Sequence, residues 1–162
     1  LVVIDLGGGY GGPTYEHLIA NEIEVKGYKG SEATTRRSIT GKLKFTNKRS
    51  AALWLFREAL DPGQQGGSPI ALSDDPVLIA DLTAPTFEVT PNGIKAEPKE
   101  SVCDRLGRST NKGDGTIMAW FEGPKHTTTL YDSTDEMAHQ HPGWMQRVVG
   151  GLREPLSARL RR

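Results

Sequence analysis

With 162 residues, 36% of them hydrophobic and 25% charged, the chain can build one domain with a buried core and is too short for two. Twenty basic residues balance twenty acidic ones, so no overall field draws the chain to nucleic acid, and any hold on DNA must be local. Cys103 is the only cysteine, which excludes an intramolecular disulfide, and no apolar run reaches the roughly 18 residues needed to span a membrane.

Leu1 to Leu6 is an apolar run interrupted by Asp5 and followed by glycines, which predicts a central strand ending in a sharp turn. Because the chain opens inside a core strand and without methionine, it is expected to be part of something longer. Pro13 suits the first turn of a helix continued by Tyr15 to Ala20. Glu22 to Lys26 alternates, with Ile23 and Val25 on one face, and predicts a second strand. Gly27 to Gly41 is polar, with Arg36 beside Arg37, and predicts an exposed excursion. Asn47 is the N-cap of a helix through Leu60, stopped by Asp61-Pro62-Gly63 and followed by a loop from Gln64 to Pro69. Its apolar face is Ala51, Leu55 and Ala59, or Trp54 and Leu60.

Asp74 or Asp75 caps a further helix with Val77, Leu78 and Leu82 turned inward. Phe87 to Thr90 and Gly93 to Ala96 flank Pro91-Asn92-Gly93, a hairpin turn. Lys99 to Leu106 is a short helix stopped by Gly107, and Thr110 or Asn111 starts a last helix through Phe121 with Ile117, Met118 and Trp120. Residues 1–124 are expected to form the domain. Residues 125–162, apolar-poor and ending in Arg153, Arg159, Arg161 and Arg162, are expected to be a tail. Strands interleaved with helices predict an α/β fold.

Three local signals carry chemistry. Asp5 ends a central strand, where a carboxylate is costly unless it is paired, bound to a metal, or capping the following loop. Gly7 to Gly12 satisfies the dinucleotide pattern G-x-G-x-x-G, a pattern easily met when five of six residues are glycine; the plain alternative is a tight turn. Asp114 stands near the start of the last helix, where the helix dipole alone favours an acid. The histidines His17, His126, His139 and His141 form no metal-binding spacing.

In order and spacing, several segments resemble the large terminase subunits of tailed phages. They are Val3-Ile4-Asp5 with its glycine turn; Asn47-Lys48-Arg49 with Trp54; and Leu72-Ser73-Asp74-Asp75 with Leu78 and Leu82. Further on come Gly93, Ile94, Glu97 and Lys99, then Leu106-Gly107-Arg108-Ser109 with Asp114. The resemblance covers residues 1–121. The sequence departs from the family's signature at Thr110-Asn111, which is Pro-Asp in the family, and at Gly115, which is alanine there.

This resemblance implies a ribonuclease H-like mixed sheet flanked by helices, with its first strands missing. It implies a metal-dependent endonuclease that cuts double-stranded concatemeric DNA during genome packaging, with Mg²⁺ or Mn²⁺ in a two-metal site. Asp5 and Asp114 would be metal ligands, Lys99 would approach the scissile phosphate, and Arg105, Arg108 and Lys112 would hold the DNA backbone. The family's first catalytic aspartate lies on an earlier strand, so these residues alone are expected to cut poorly, with Glu97 the first substitute to consider. Implied partners are the small terminase subunit, the portal protein and an upstream ATPase domain of the same polypeptide, in host cytoplasm during phage assembly. Two other readings stand beside this one: a nucleotide- or phosphate-binding domain using Gly7 to Gly12, and an inactive prophage remnant serving as an interaction module.

Overall fold

A computed structural model describes residues 1–64 and 66–123. The expected tail, with His126, His139 and His141, lies outside the described residues. The elements in order are β1 (Val2–Asp5), a 3-10 turn (Gly7–Gly9), α1 (Gly12–Ala20), β2 (Val25–Tyr28), α2 (Lys48–Leu60), α3 (Pro76–Thr83), β3 (Phe87–Thr90), β4 (Gly93–Ala96), α4 (Lys99–Leu106) and α5 (Asn111–Glu122). No described helix is long and apolar enough to cross a membrane.

β1 and β2 pair in parallel, Val2 opposite Val25 and Asp5 opposite Tyr28, with α1 as the crossover that parallel strands require. The turn into α1 demands glycine at position 11, because a Cβ there would lie 2.1 Å from the Asp5 carbonyl oxygen. β3 and β4 form the expected antiparallel hairpin. The chain before α2 joins that hairpin through a bridge between Phe45 and Ile94. A Cβ at Gly93 would come within 2.5 Å of the Lys44 carbonyl oxygen, so glycine is needed here for close approach of two backbones.

Two expectations are corrected. β2 begins at Val25 rather than Glu22, because the residues before it close α1. The Glu22 and Ile23 amides donate to the Ile19 and Leu18 carbonyls, and Glu22 adopts a φ of 57°. The orphan carbonyls of a helix end outbid strand pairing at this point. In α3, Val77 faces outward at 40% exposure, Leu78 is buried, and Asp81 takes an inward position at 2% exposure.

The core gathers Phe45, Ala51, Ala52, Leu53 and Phe56 around Ile94, Ala96, Ile117, Phe121 and Tyr28. Alanines 51 and 52 on α2 let the helix lie close to β4. Ser50, 1% exposed, accepts the Ala96 amide at 3.0 Å and so ties the two elements together. Asn47 caps α2 through the Ser50 amide, and Asp75 caps α3 through the Val77 and Leu78 amides. Removing the Ser50 hydroxyl would strand a buried amide. Ser50→Ala is expected to lower stability by about 2 kcal/mol in urea unfolding, and an unchanged midpoint would show that this amide finds another partner.

Candidate active site

The β1–α1 turn and the first turn of α5 carry the two aspartates singled out above. Asp5 is exposed at the end of β1, and its Oδ1 accepts the Gly7 amide at 2.8 Å. The loop-capping role is therefore present, and it uses one oxygen only. Asp114 accepts both the Thr110 hydroxyl and the Lys99 ammonium through Oδ2, each at 2.8 Å. Lys99 opens α4 directly after Pro98, while α5 packs against β1 and β2.

The charges of Asp5 and Asp114 both reach Lys99. Burial is the largest single influence on the Lys99 ammonium and works to release its proton. The hydrogen bond and charge of Asp114, with smaller help from Cys103 and Asp5, outweigh burial and raise the pKa. Lys99 thus stays charged at neutral pH and acts as a fixed cation, unsuited to accept a proton. The start of α4 and the first turn of α5 therefore meet through Lys99 and Asp114.

Tyr28 belongs to the same neighbourhood and was not legible in the sequence, where it fell in the polar excursion. Burial pushes its hydroxyl well up; Arg49 opposes, and Asp114, Asp5 and Glu122 add to the rise. It remains a phenol, 6% exposed, with the Phe121 ring edge-on at 6.3 Å and the Lys48 ammonium 5.1 Å from its ring centre. Arg49, also unassigned from sequence, donates to the Glu97 carbonyl at 2.5 Å. The signal that could have found Tyr28 is strand register, since it pairs directly with Asp5.

The cations expected to hold DNA have partners inside the domain. Arg105 grips Glu97 through both guanidinium nitrogens, at 2.5 and 3.0 Å, and also donates to the Ala84 carbonyl. Arg108 pairs with Asp81, whose side chain is fully buried, and Lys112 meets Asp75 at 2.6 Å. Glu97 is not free to substitute as a metal ligand. The Arg105 hydrogen bond, joined by the Thr86 amide and hydroxyl, overcomes burial and holds its carboxyl down at about 2.

α3 acts as a clamp on the turn that carries Asp114. The second Asp81 oxygen accepts the Gly113 amide at 3.0 Å. A Cβ at Gly113 would sit 2.6 Å from the Asp81 Cβ, so only glycine permits this approach. Asp75 caps α3 while taking Lys112, and that hydrogen bond holds its carboxyl below the usual range. Residues 112, 113 and 114 are therefore each held from outside α5.

Two further sequence candidates are the glycine loop, which follows directly on Asp5, and His17. In the glycine loop, Gly8 and Gly9 adopt φ values of 69° and 83°, and the close approach at position 11 accounts for a third glycine. His17 contacts Asn21 on α1. Among the described residues, no group of three or more His, Cys, Asp or Glu side chains could hold a metal.

Arg108→Ala leaves the buried Asp81 carboxylate without its cation and is expected to cost roughly 3 kcal/mol in denaturant unfolding. Lys112→Ala removes an exposed partner and should leave the midpoint nearly unchanged; equal losses would refute the distinction. The depressed Glu97 pKa contributes stability that is fully present above its ordinary 4.5 and lost as pH falls toward about 2. Glu97→Gln should therefore flatten acid unfolding measured by circular dichroism across that window, and an unaltered pH profile would show that Glu97 does not contribute.

No family model and no curated protein matches the chain. Two solved structures do, both of the nuclease domain of the large terminase subunit gp2 of bacterial virus Sf6. One holds manganese and beta-thujaplicinol; it is 21% identical over 75% of this chain and 64% of that chain, with a TM-score of 0.54. The other holds manganese; it is 24% identical over 75% of this chain and 65% of that chain, with a TM-score of 0.52. The chain spans slightly under two thirds of the length of the domain it matches. Its architecture is the ribonuclease H-like α/β fold of a large-terminase nuclease domain.

Proposed function

We propose that the chain is the metal-binding part of an endonuclease that cuts double-stranded DNA during phage genome packaging. The observation that carries this reading is the ion pair of Lys99 with Asp114 at a helix start, with the charge of Asp5 at a strand end acting on the same ammonium, in a fold similar to that of nuclease domains. The manganese in both similar structures supports a divalent cation, and the donor chemistry here fits one. Mg²⁺ and Mn²⁺ take hard oxygen ligands, and Mg²⁺ is commonly held by one or two carboxylates, with water and substrate phosphate completing the shell. Hydrogen bonds from the described residues occupy Oδ1 of Asp5 and Oδ2 of Asp114, which leaves one oxygen of each for a metal.

Bound there as a pair, such cations would activate a water and stabilise the leaving oxygen in phosphodiester hydrolysis. The chain's own residues divide the remaining work. Asp5 and Asp114 hold and orient the cations; Thr110 fixes the Asp114 carboxylate; Lys99 balances that carboxylate and offers a permanent positive charge to a scissile phosphate. Tyr28 keeps its proton and can only donate it in a hydrogen bond. Arg105, Arg108 and Lys112 would have to leave their ion pairs to reach DNA, so this mechanism does not depend on them. The small terminase subunit, the portal protein and an ATPase domain on the same polypeptide would be partners in cutting concatemers, with assembly in host cytoplasm as the setting. No described contact favours a nucleotide on the glycine loop or a purely structural module.

With Asp5 and Asp114 as its two carboxylate ligands, binding of Mn²⁺ is expected to be weak and plasmid nicking slow. Calorimetric titration with Mn²⁺ should lose its signal in Asp5→Asn and in Asp114→Asn, and both variants should nick plasmid roughly 100-fold less. Lys99→Ala should keep the metal signal and lose nicking. Mn²⁺ binding that survives both aspartate substitutions would sink the assignment.

A further inference from the structure

We infer that the excursion between β2 and α2 binds the phosphate backbone of double-stranded DNA, a role that rests on the DNA-cutting reading above. Residues 26–44 hold six basic side chains, Lys26, Lys29, Arg36, Arg37, Lys42 and Lys44, against one acid, Glu32, in a chain whose charges cancel as a whole. The cations around the active site are spent on ion pairs: Lys99 with Asp114, Arg105 with Glu97, Arg108 with Asp81 and Lys112 with Asp75. Lys48 pairs with Glu122, and more distantly with Glu32. By contrast Lys29, Arg37, Lys42 and Lys44 are exposed and have no acidic partner among the described residues.

These charges are mounted on an ordered turn. Arg37 and Lys44 face each other across an antiparallel bridge, and Gly41 turns the chain at a φ of 73°. Ser38, 4% exposed, accepts the Leu43 amide on its hydroxyl at 3.1 Å and donates its own amide to the Leu43 carbonyl at 3.1 Å. The Ile39 amide donates to Glu58 on α2, and Phe45 is buried beside Ile94. The segment is also anchored to the C-terminal end of α5. Lys26 donates to the Glu122 carbonyl at 3.1 Å, and the Arg36 guanidinium lies 5.6 Å from the Phe121 ring centre. Since α5 carries Asp114 in its first turn, this anchor lies about 12 Å along the helix from the catalytic carboxylate, at ~1.5 Å per residue.

Unpaired like charges held together repel one another, and a polyanion is the ligand that relieves them. Fixed lysines and arginines facing solvent suit phosphate contacts, which set the position of a duplex without reading its sequence. A surface of this kind would hold DNA while the carboxylates act on one bond.

The test is binding of a labelled duplex to the full chain in EDTA, read as the slope of log affinity against log salt. Substituting Lys29→Ala, Arg37→Ala, Lys42→Ala and Lys44→Ala together should make the slope shallower by about 3 to 4 units, at ~0.9 per phosphate contact. The loss should be the same for duplexes of unrelated sequence. An unchanged slope overturns the inference, as does competition by polyglutamate equal to that by duplex, or failure of the unsubstituted chain to bind duplex at low salt. The Mn²⁺ titration separates the two proposals. If Asp5→Asn leaves metal binding intact while the fourfold variant loses its salt slope, the nuclease reading fails and the surface stands. If the fourfold variant keeps both slope and metal binding, the surface alone fails.

Discussion

The candidate site depends on how the first turn of α5 is held. A carboxylate from α3, Asp81, is buried with one oxygen on the Arg108 guanidinium and the other on the Gly113 amide. An ionised group in that position is tolerable only because both oxygens are satisfied, one of them by a full charge. The contact requires glycine at position 113, and it sits one residue before Asp114. Helix α3 is short, yet it holds the turn that carries Asp114. Its N-cap, Asp75, adds a second hold through Lys112. Without this clamp the Asp114 carboxylate would depend on Thr110 and Lys99 alone.

The charged residues divide by what surrounds them. Near the carboxylates, cations and anions neutralise one another in short ion pairs, and the domain gains fixed geometry there at the expense of free charge. Arg105 and Glu97 belong to this group and fasten the β4 exit to α4 and to the start of the hairpin. On the excursion before α2 the acids are nearly absent, and the basic residues remain available. A chain with no net charge can therefore carry a cationic surface, because the balance holds for the whole and fails for the parts.

The parallel β1–β2 pair and the α1 crossover set Asp5 at a strand end, where backbone crowding rather than ligand binding explains much of the glycine content. Gly11 admits the Asp5 carbonyl, and Gly8 and Gly9 supply the left-handed turn. The same loop that looks like a nucleotide fingerprint is thereby accounted for by the path of the chain. Register then brings Tyr28 beside Asp5, and its buried phenol lines the site from the second strand.

What the sequence alone determined were features governed by neighbours a few residues apart. Asn47 and Asp75 could be read as helix caps, Gly107 as a helix stop, and Pro91-Asn92-Gly93 as a hairpin turn, because each acts on backbone groups within its own segment. Asp5 and Asp114 stood out for the same reason, one at a strand end and one at a helix start. Asp81 could not be read as a buried charge, since its partners are 27 and 32 residues away. Likewise Arg105 and Arg108 looked free until the fold supplied Glu97 and Asp81, and Tyr28 looked like loop until strand register set it opposite Asp5. Hydrogen-bonding at the end of α1 displaced the start of β2 from where alternation alone had put it. Only tertiary structure decided which charges are paired and which face solvent, because pairing is set by proximity in space and leaves no periodic trace along the chain.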